Sequence, residues 1–202
     1  MIRRLPLARV PRAVAAAVGC LVLLGCGSTS NPTSSGVVAS FLPDAPSPPD
    51  GSVTLQAGET TGTLVQVRVS VKGVDDFFGA AFWISYDATN VAYRSYDVST
   101  SLICDGGCDT DPKKEAVTVL VDPLSLPGTI KFGVSKRQLD GTIKGVNVTD
   151  ASDLIVLTFV ARQAVTGSPI MFVDGHGEVI DSTPPPTNTT AVTWAGGTLT
   201  AK

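Results

Sequence analysis

Catalytic equipment is what this 202-residue sequence has least of. It holds one histidine, His176, and neither a Gly-x-Ser-x-Gly turn nor a His-Glu-x-x-His pair. The adjacent acids Asp75 and Asp76 sit near a turn, where such pairs are solvated far more often than they hydrolyse glycosides. An enzyme is therefore not expected. Charge is also scarce, at 16% of residues, and all four Arg of the first 25 residues (Arg3, Arg4, Arg9, Arg12) fall in a segment that reads as removable. From residue 26 onward eleven Lys and Arg stand against eighteen Asp and Glu, and the cations are scattered. Nucleic acid, which is held by a dense basic face, is excluded as a partner. Outside the N-terminus no run approaches the roughly 18 apolar residues of a membrane-spanning helix. With 43% hydrophobic residues the chain is nonetheless too apolar to be disordered throughout, and its length suits one domain.

What is present begins with an address. Residues 1–12 are basic, Ala13 to Leu24 form a short apolar run, and small residues follow at Gly25 and Cys26, which is the order of a secretory signal. The tetrapeptide Leu23-Leu24-Gly25-Cys26 resembles a bacterial lipobox, and the resemblance implies cleavage before Cys26 and acylation of its thiol. Two or more acyl chains give stable membrane anchoring. Gly27 stands where an Asp would hold an enteric lipoprotein at the inner membrane, so the outer membrane or the cell surface is the expected location. Residues 27–50, GSTSNPTSSGVVASFLPDAPSPPD, are rich in Ser, Thr, Pro and Gly and read as a tether. The alternative is that Val37-Val38 and Phe41-Leu42 pack onto the domain as an extra edge strand. The organisation expected is a signal peptide over 1–25, a lipidated Cys with linker over 26–50, and a folded domain over 51–202.

Short Val-, Ile-, Thr- and Phe-rich runs separated by turn residues fill the remainder, with no helical period. They predict about nine strands, near 52–56, 63–72, 80–86, 91–97, 116–122, 129–135, 154–161, 170–173 and 191–200. Val65, Val67, Val69 and Val71 share one parity, as do Ile130, Phe132 and Val134, so one face of each strand is buried. The class expected is an all-β sandwich of two antiparallel sheets.

Three segments narrow this further. Gly79-Ala-Ala-Phe-Trp-Ile-Ser-Tyr-Asp87, followed by Val91-Ala-Tyr-Arg-Ser-Tyr-Asp97, resembles the signature of the cohesin domain family. Val53 to Val71 is similar to that family's first two strands, and Asp153-Leu-Ile-Val-Leu-Thr-Phe-Val-Ala161 to a later one. The resemblance spans roughly residues 52–200. It implies a nine-stranded jelly roll without catalysis that binds protein partners, dockerin modules in cellulosomes, on an open sheet face.

By strand order that face contains the strands at Ala80, Ala116, Thr129 and Ile170. Parity opposite to Phe82, Ile84 and Tyr86 puts Trp83, Ser85, Thr118, Leu120, Lys131, Ser135 and Met171 on its solvent side, with Trp83 as an anchor beside Leu120 and Met171. A loop covering Trp83, or a register slip by one, would undo the patch. Polysaccharide stacking on exposed aromatics is the second reading, although two Trp and three Tyr supply few rings. A purely architectural envelope component is the third. Asp87 is expected to cap the turn at Ala88-Thr89-Asn90, and Asp174-Gly-His-Gly-Glu178 to be a polar turn. Cys104 and Cys108 flank Asp-Gly-Gly and are expected to pair in an oxidising compartment. No cofactor is expected; calcium at Asp105, Asp109 and Asp111 is a lesser alternative, since their spacing does not fit an EF-hand.

Overall fold

Alternation of apolar and polar side chains sets the backbone of this protein, a computed structural model that describes residues 36–104, 117–136, 144–183 and 191–202. Twelve strands are present among them: β1 (Ala39–Pro43), β2 (Ser52–Thr61), β3 (Leu64–Lys72), β4 (Val74–Tyr86), β5 (Val91–Asp97), β6 (Val117–Leu126), β7 (Thr129–Lys136), β8 (Val146–Val148), β9 (Ser152–Ala161), β10 (Val165–Asp181), β11 (Thr193–Ala195) and β12 (Gly197–Ala201). One sheet runs β1-β12-β10-β4-β7-β6 with β8 beside β4; the other runs β11-β2-β3-β9-β5. Phe82, Ile84, Ile130, Phe132 and Val134 of the first sheet share one buried cluster with Leu55, Val67, Val69, Leu157 and Phe159 of the second. The all-β sandwich stands as the sequence implies.

Three strands beyond the nine expected have separate causes. β8 is a three-residue strand too short to show a period. The run over 191–200 divides at Gly196, so that β11 pairs in parallel with β2 of one sheet while β12 pairs with β10 of the other. A side chain at Gly196 would meet the Met171 sulfur and the Ile170 carbonyl, which is why the crossing occurs at a glycine. The third is β1, and it corrects the tether expected over 26–50 in its described part, residues 36–50. Ala39 and Phe41 are buried and pair with Ala201 and Leu199 of β12, so the edge-strand alternative holds.

The Pro-rich stretch after β1 is also used. Proline segments carry carbonyls but lack N–H groups, so they are net acceptors. Gln56 donates to the Ala45 carbonyl at 2.8 Å, Ser52 to that of Pro49 at 2.6 Å and Lys72 to that of Pro48 at 3.1 Å. This strap covers the outward side of β2, where Ser52, Thr54 and Gln56 are all buried. The compact unit accordingly begins at Ser35 rather than Gly51.

Asp76 interrupts β4 in the left-handed region, at φ 51°. Its carboxylate accepts hydrogen bonds from the Ser182 hydroxyl (2.7 and 2.8 Å to its two oxygens), the Ser182 amide (3.2 Å) and the Gly145 amide (3.0 Å), while its own amide donates to Asn147 Oδ1 at 2.9 Å. The solvated acid pair read from sequence is thus corrected at Asp76, which ties β4 to the chain around β8 and the end of β10. The Ser182 hydroxyl bond, then its amide and that of Gly145, hold the carboxyl below its ordinary value despite an opposing desolvation effect. Asp76→Asn keeps a side chain that tolerates positive φ, removes the charge and replaces one of the two accepting oxygens by an NH2 group. It is expected to cost about 1 kcal/mol at neutral pH, measured by urea unfolding. A lowered folded-state value means the stabilisation is complete above the unfolded carboxylate value and is lost as pH falls through the folded one. The gap between the two proteins should therefore close on acidification.

Candidate docking face

Four strands expected side by side are neighbours, in the order β10-β4-β7-β6. Ladder register then fixes which residues meet. Trp83 pairs with Lys131, Ser85 with Thr129 on one side and Met171 on the other, Leu120 with Gly133, and Thr118 with Ser135. Since Phe82 and Ile84 are fully buried, the residues of opposite parity on β4 and β7 lie on the outer side of this sheet. Trp83, Ser85, Lys131 and Ser135 are half-buried, and Leu120 (71% exposed) and Met171 (38%) are open to solvent.

Beyond the expected set, Leu124 (87% exposed) and Leu126 (44%) extend the apolar surface along β6, which forms one edge of the sheet. They lie where the β6–β7 ladder loses register between Asp122 and Leu126. Asp122 shapes this departure: its Oδ1 accepts the Ser125 amide at 3.0 Å and the Leu124 amide at 3.2 Å. Hydrogen bonds from Ser125, first its side chain, together with the Leu124 amide, draw the Asp122 carboxyl down to about 2. Lys131 Nζ lies 3.5 Å from its Oδ2. An exposed Leu-x-Leu following a Pro was the sequence signal for this extension, since the strand expected near 116–122 ended before it.

Trp83 is outward as its parity requires, but it is not bare. The imidazole of His176 lies parallel to the indole, with ring centroids 3.7 Å apart and planes 3° from parallel. Lys131 Nζ sits 4.8 Å from the same ring's centroid, within cation–π range. The polar turn expected at 174–178 is therefore part of β10, and its histidine covers the anchor. Trp194, the other tryptophan, packs edge-on against Phe172 at 4.8 Å and near Phe82 at 6.1 Å, on the core side.

The remaining sequence-derived sites resolve as follows. Asp87 accepts from the Thr89 amide at 2.8 Å and the Asn90 side chain at 2.6 Å, the turn cap expected, and these bonds, led by the Thr89 amide, lower its carboxyl value. Cys104 packs against the core and is disulfide-bonded; Cys108 lies outside the described residues. So do Cys26 and the three acids Asp105, Asp109 and Asp111. Among the described residues no group of three or more His, Cys, Asp or Glu is placed to hold a metal ion.

Comparison with known families and structures agrees with this fold. Residues 51–197 match the family model of the cohesin domain. The chain is similar to a type II cohesin domain from the cellulosome of Acetivibrio cellulolyticus, at 12% identity and a TM-score of 0.56, covering 75% of this chain and 95% of that one. It is similar to CaCohA2 of Clostridium acetobutylicum at 19% identity and a TM-score of 0.51, covering 73% and 88%. It is also similar to the third cohesin ScaC of Acetivibrio cellulolyticus, solved in complex with the ScaB dockerin, at 16% identity and a TM-score of 0.50, covering 68% and 88%. No protein with a curated description matches the chain.

Proposed function

The chain belongs to the cohesin domain family, and from that premise we propose that it is a non-catalytic binding module whose β10-β4-β7-β6 face holds a protein partner of the dockerin type. The observation that carries the reading is the set of Leu120, Leu124, Leu126 and Met171, all exposed on or beside one sheet face around the Trp83–Lys131 pair. Apolar side chains in open water are unfavourable, and a contiguous group of them rimmed by polar residues is the usual mark of a docking surface. The ScaC structure, with its bound ScaB dockerin, supports the choice of partner class.

Envelope anchoring completes the proposal. The lipobox-like Leu23-Leu24-Gly25-Cys26 supports acylation at Cys26, with Gly27 favouring the outer membrane or cell surface. The linker is shorter than the composition suggested, since it must end before Ala39. Export also favours a Cys104–Cys108 bridge, in keeping with the engaged state of Cys104. Polysaccharide binding is the weaker reading, because two Trp and three Tyr supply few rings for stacking and Trp194 packs on the core side.

The test is calorimetric titration of the purified protein with a panel of dockerin modules, beside a Trp83→Ala, Leu120→Ala double variant. Removing the Trp83 anchor together with an apolar contact of the rim is expected to weaken binding by about thirtyfold or more. Equal affinity of both proteins for a dockerin would move the interface elsewhere, and no binding by any module would reject the partner class.

A further inference from the structure

The ladder between β10 and β4 breaks between Phe172 and Gly177, so residues 173–176 leave the register and return. Gly175, at φ 72°, makes the reversal, and Gly177 takes the chain back so close to Trp194 that a Cβ there would lie 2.6 Å from the indole. Asp174, Gly175 and His176 are exposed. Among the described residues no side chain of this excursion makes a hydrogen bond or an ion pair; its one ring contact is the stack of His176 on Trp83. The charged neighbours of the indole are already occupied with each other, Lys131 with Asp122. The stack is thus the one ring contact that holds the excursion over a face of Trp83, whose ring Lys131 Nζ also approaches at 4.8 Å. Segments held this weakly open at small free-energy cost.

We propose that His176 is a displaceable cap over Trp83, and that a partner docking on this face gains the indole only by moving the imidazole aside. The inference rests on the docking reading above for its second half alone. Capping satisfies the largest apolar ring of the face while no partner is present, and the apolar rim of Leu120 and Met171 remains free for first contact. Affinity is then set by the difference between the partner's contact with Trp83 and the stack it replaces.

Acrylamide quenching of tryptophan fluorescence tests the cap with no partner present, in the full chain. Trp83→Phe supplies the contribution of Trp194, which is subtracted. In His176→Ala the quenching constant of Trp83 is expected to roughly double, because a face of the ring is uncovered. His176→Phe, which retains a flat ring, is expected to restore the original value, an outcome that general loosening of β10 would not give. An unchanged constant in His176→Ala overturns the cap. Titration with a dockerin module then tests competition: His176→Ala is expected to bind about three- to tenfold tighter than the unaltered protein, the range of one stacked pair. Equal or weaker binding overturns competition. If no module binds either protein, the docking reading and the competition fail together, while the quenching result still decides the cap.

Discussion

A chain that begins at Gly51 is expected to be less stable than one that begins at Ser35 by about 3–5 kcal/mol or more, the cost of deleting one buried phenylalanine being of that order. Phe41 is 7% exposed and covers Gly197, where any larger residue would collide with its ring. Losing β1 also strips the ladder from one side of β12 and leaves that strand as a new, apolar edge. The strap is lost with it, so that the buried Gln56 and Ser52 no longer have the carbonyls of Ala45 and Pro49 as acceptors. Urea unfolding of the two proteins measures the difference, and the shorter one should also aggregate more readily. Identical midpoints would mean that β1 contributes nothing to the sandwich and that the fold ends at Gly51 after all.

Adjacent residues on β4 are expected to behave in opposite ways. Phe82 is fully buried and touches Phe132 at 5.3 Å, Phe172 at 5.6 Å and Trp194 at 6.1 Å between ring centroids. Phe82→Ala leaves a cavity among three other rings and is expected to cost about 3–5 kcal/mol. Trp83→Ala, one residue on, removes a half-buried side chain from the outer face and is expected to cost less than about 1 kcal/mol in stability. Thermal and urea unfolding of both variants check the pair. A reversed order would put β4 in the other register and turn the proposed face inward.

That register was legible because it depends only on period two. Phe82 and Ile84 against Trp83 and Ser85, and Ile130 and Phe132 against Lys131, announce which side is wet without any knowledge of the partner strand. Strand order across β10, β4, β7 and β6 was implied by the family resemblance, and parity put Leu120 and Met171 on the side where both are exposed. What stayed hidden depends on contacts remote in sequence. Ser40 meets Thr200 across 160 positions, and nothing in a Ser- and Pro-rich stretch says that a strand waits for it there. Asp76 looked like half of a solvated pair because Ser182, Gly145 and Asn147, which surround it, lie some 70 to 106 residues away. The stack of His176 on Trp83 was hidden for the same reason, since a bulge inside β10 aims the ring and bulges carry little sequence signature beyond their glycines.

The position of β1 at the far end of the sheet from β6 has a mechanical consequence. Tension applied upstream of Gly36 and resisted by a load on β4, β7 and β6 enters the sheet through β1, which is tied to β12 and, by the Ala39 amide, to the Gly62 carbonyl. The five residue pairs joining β1 to β12, pinned by the Phe41 ring, are the first to bear that pull. Under force this short strand would act as a fuse, yielding extra length while the neighbouring strands keep their grip.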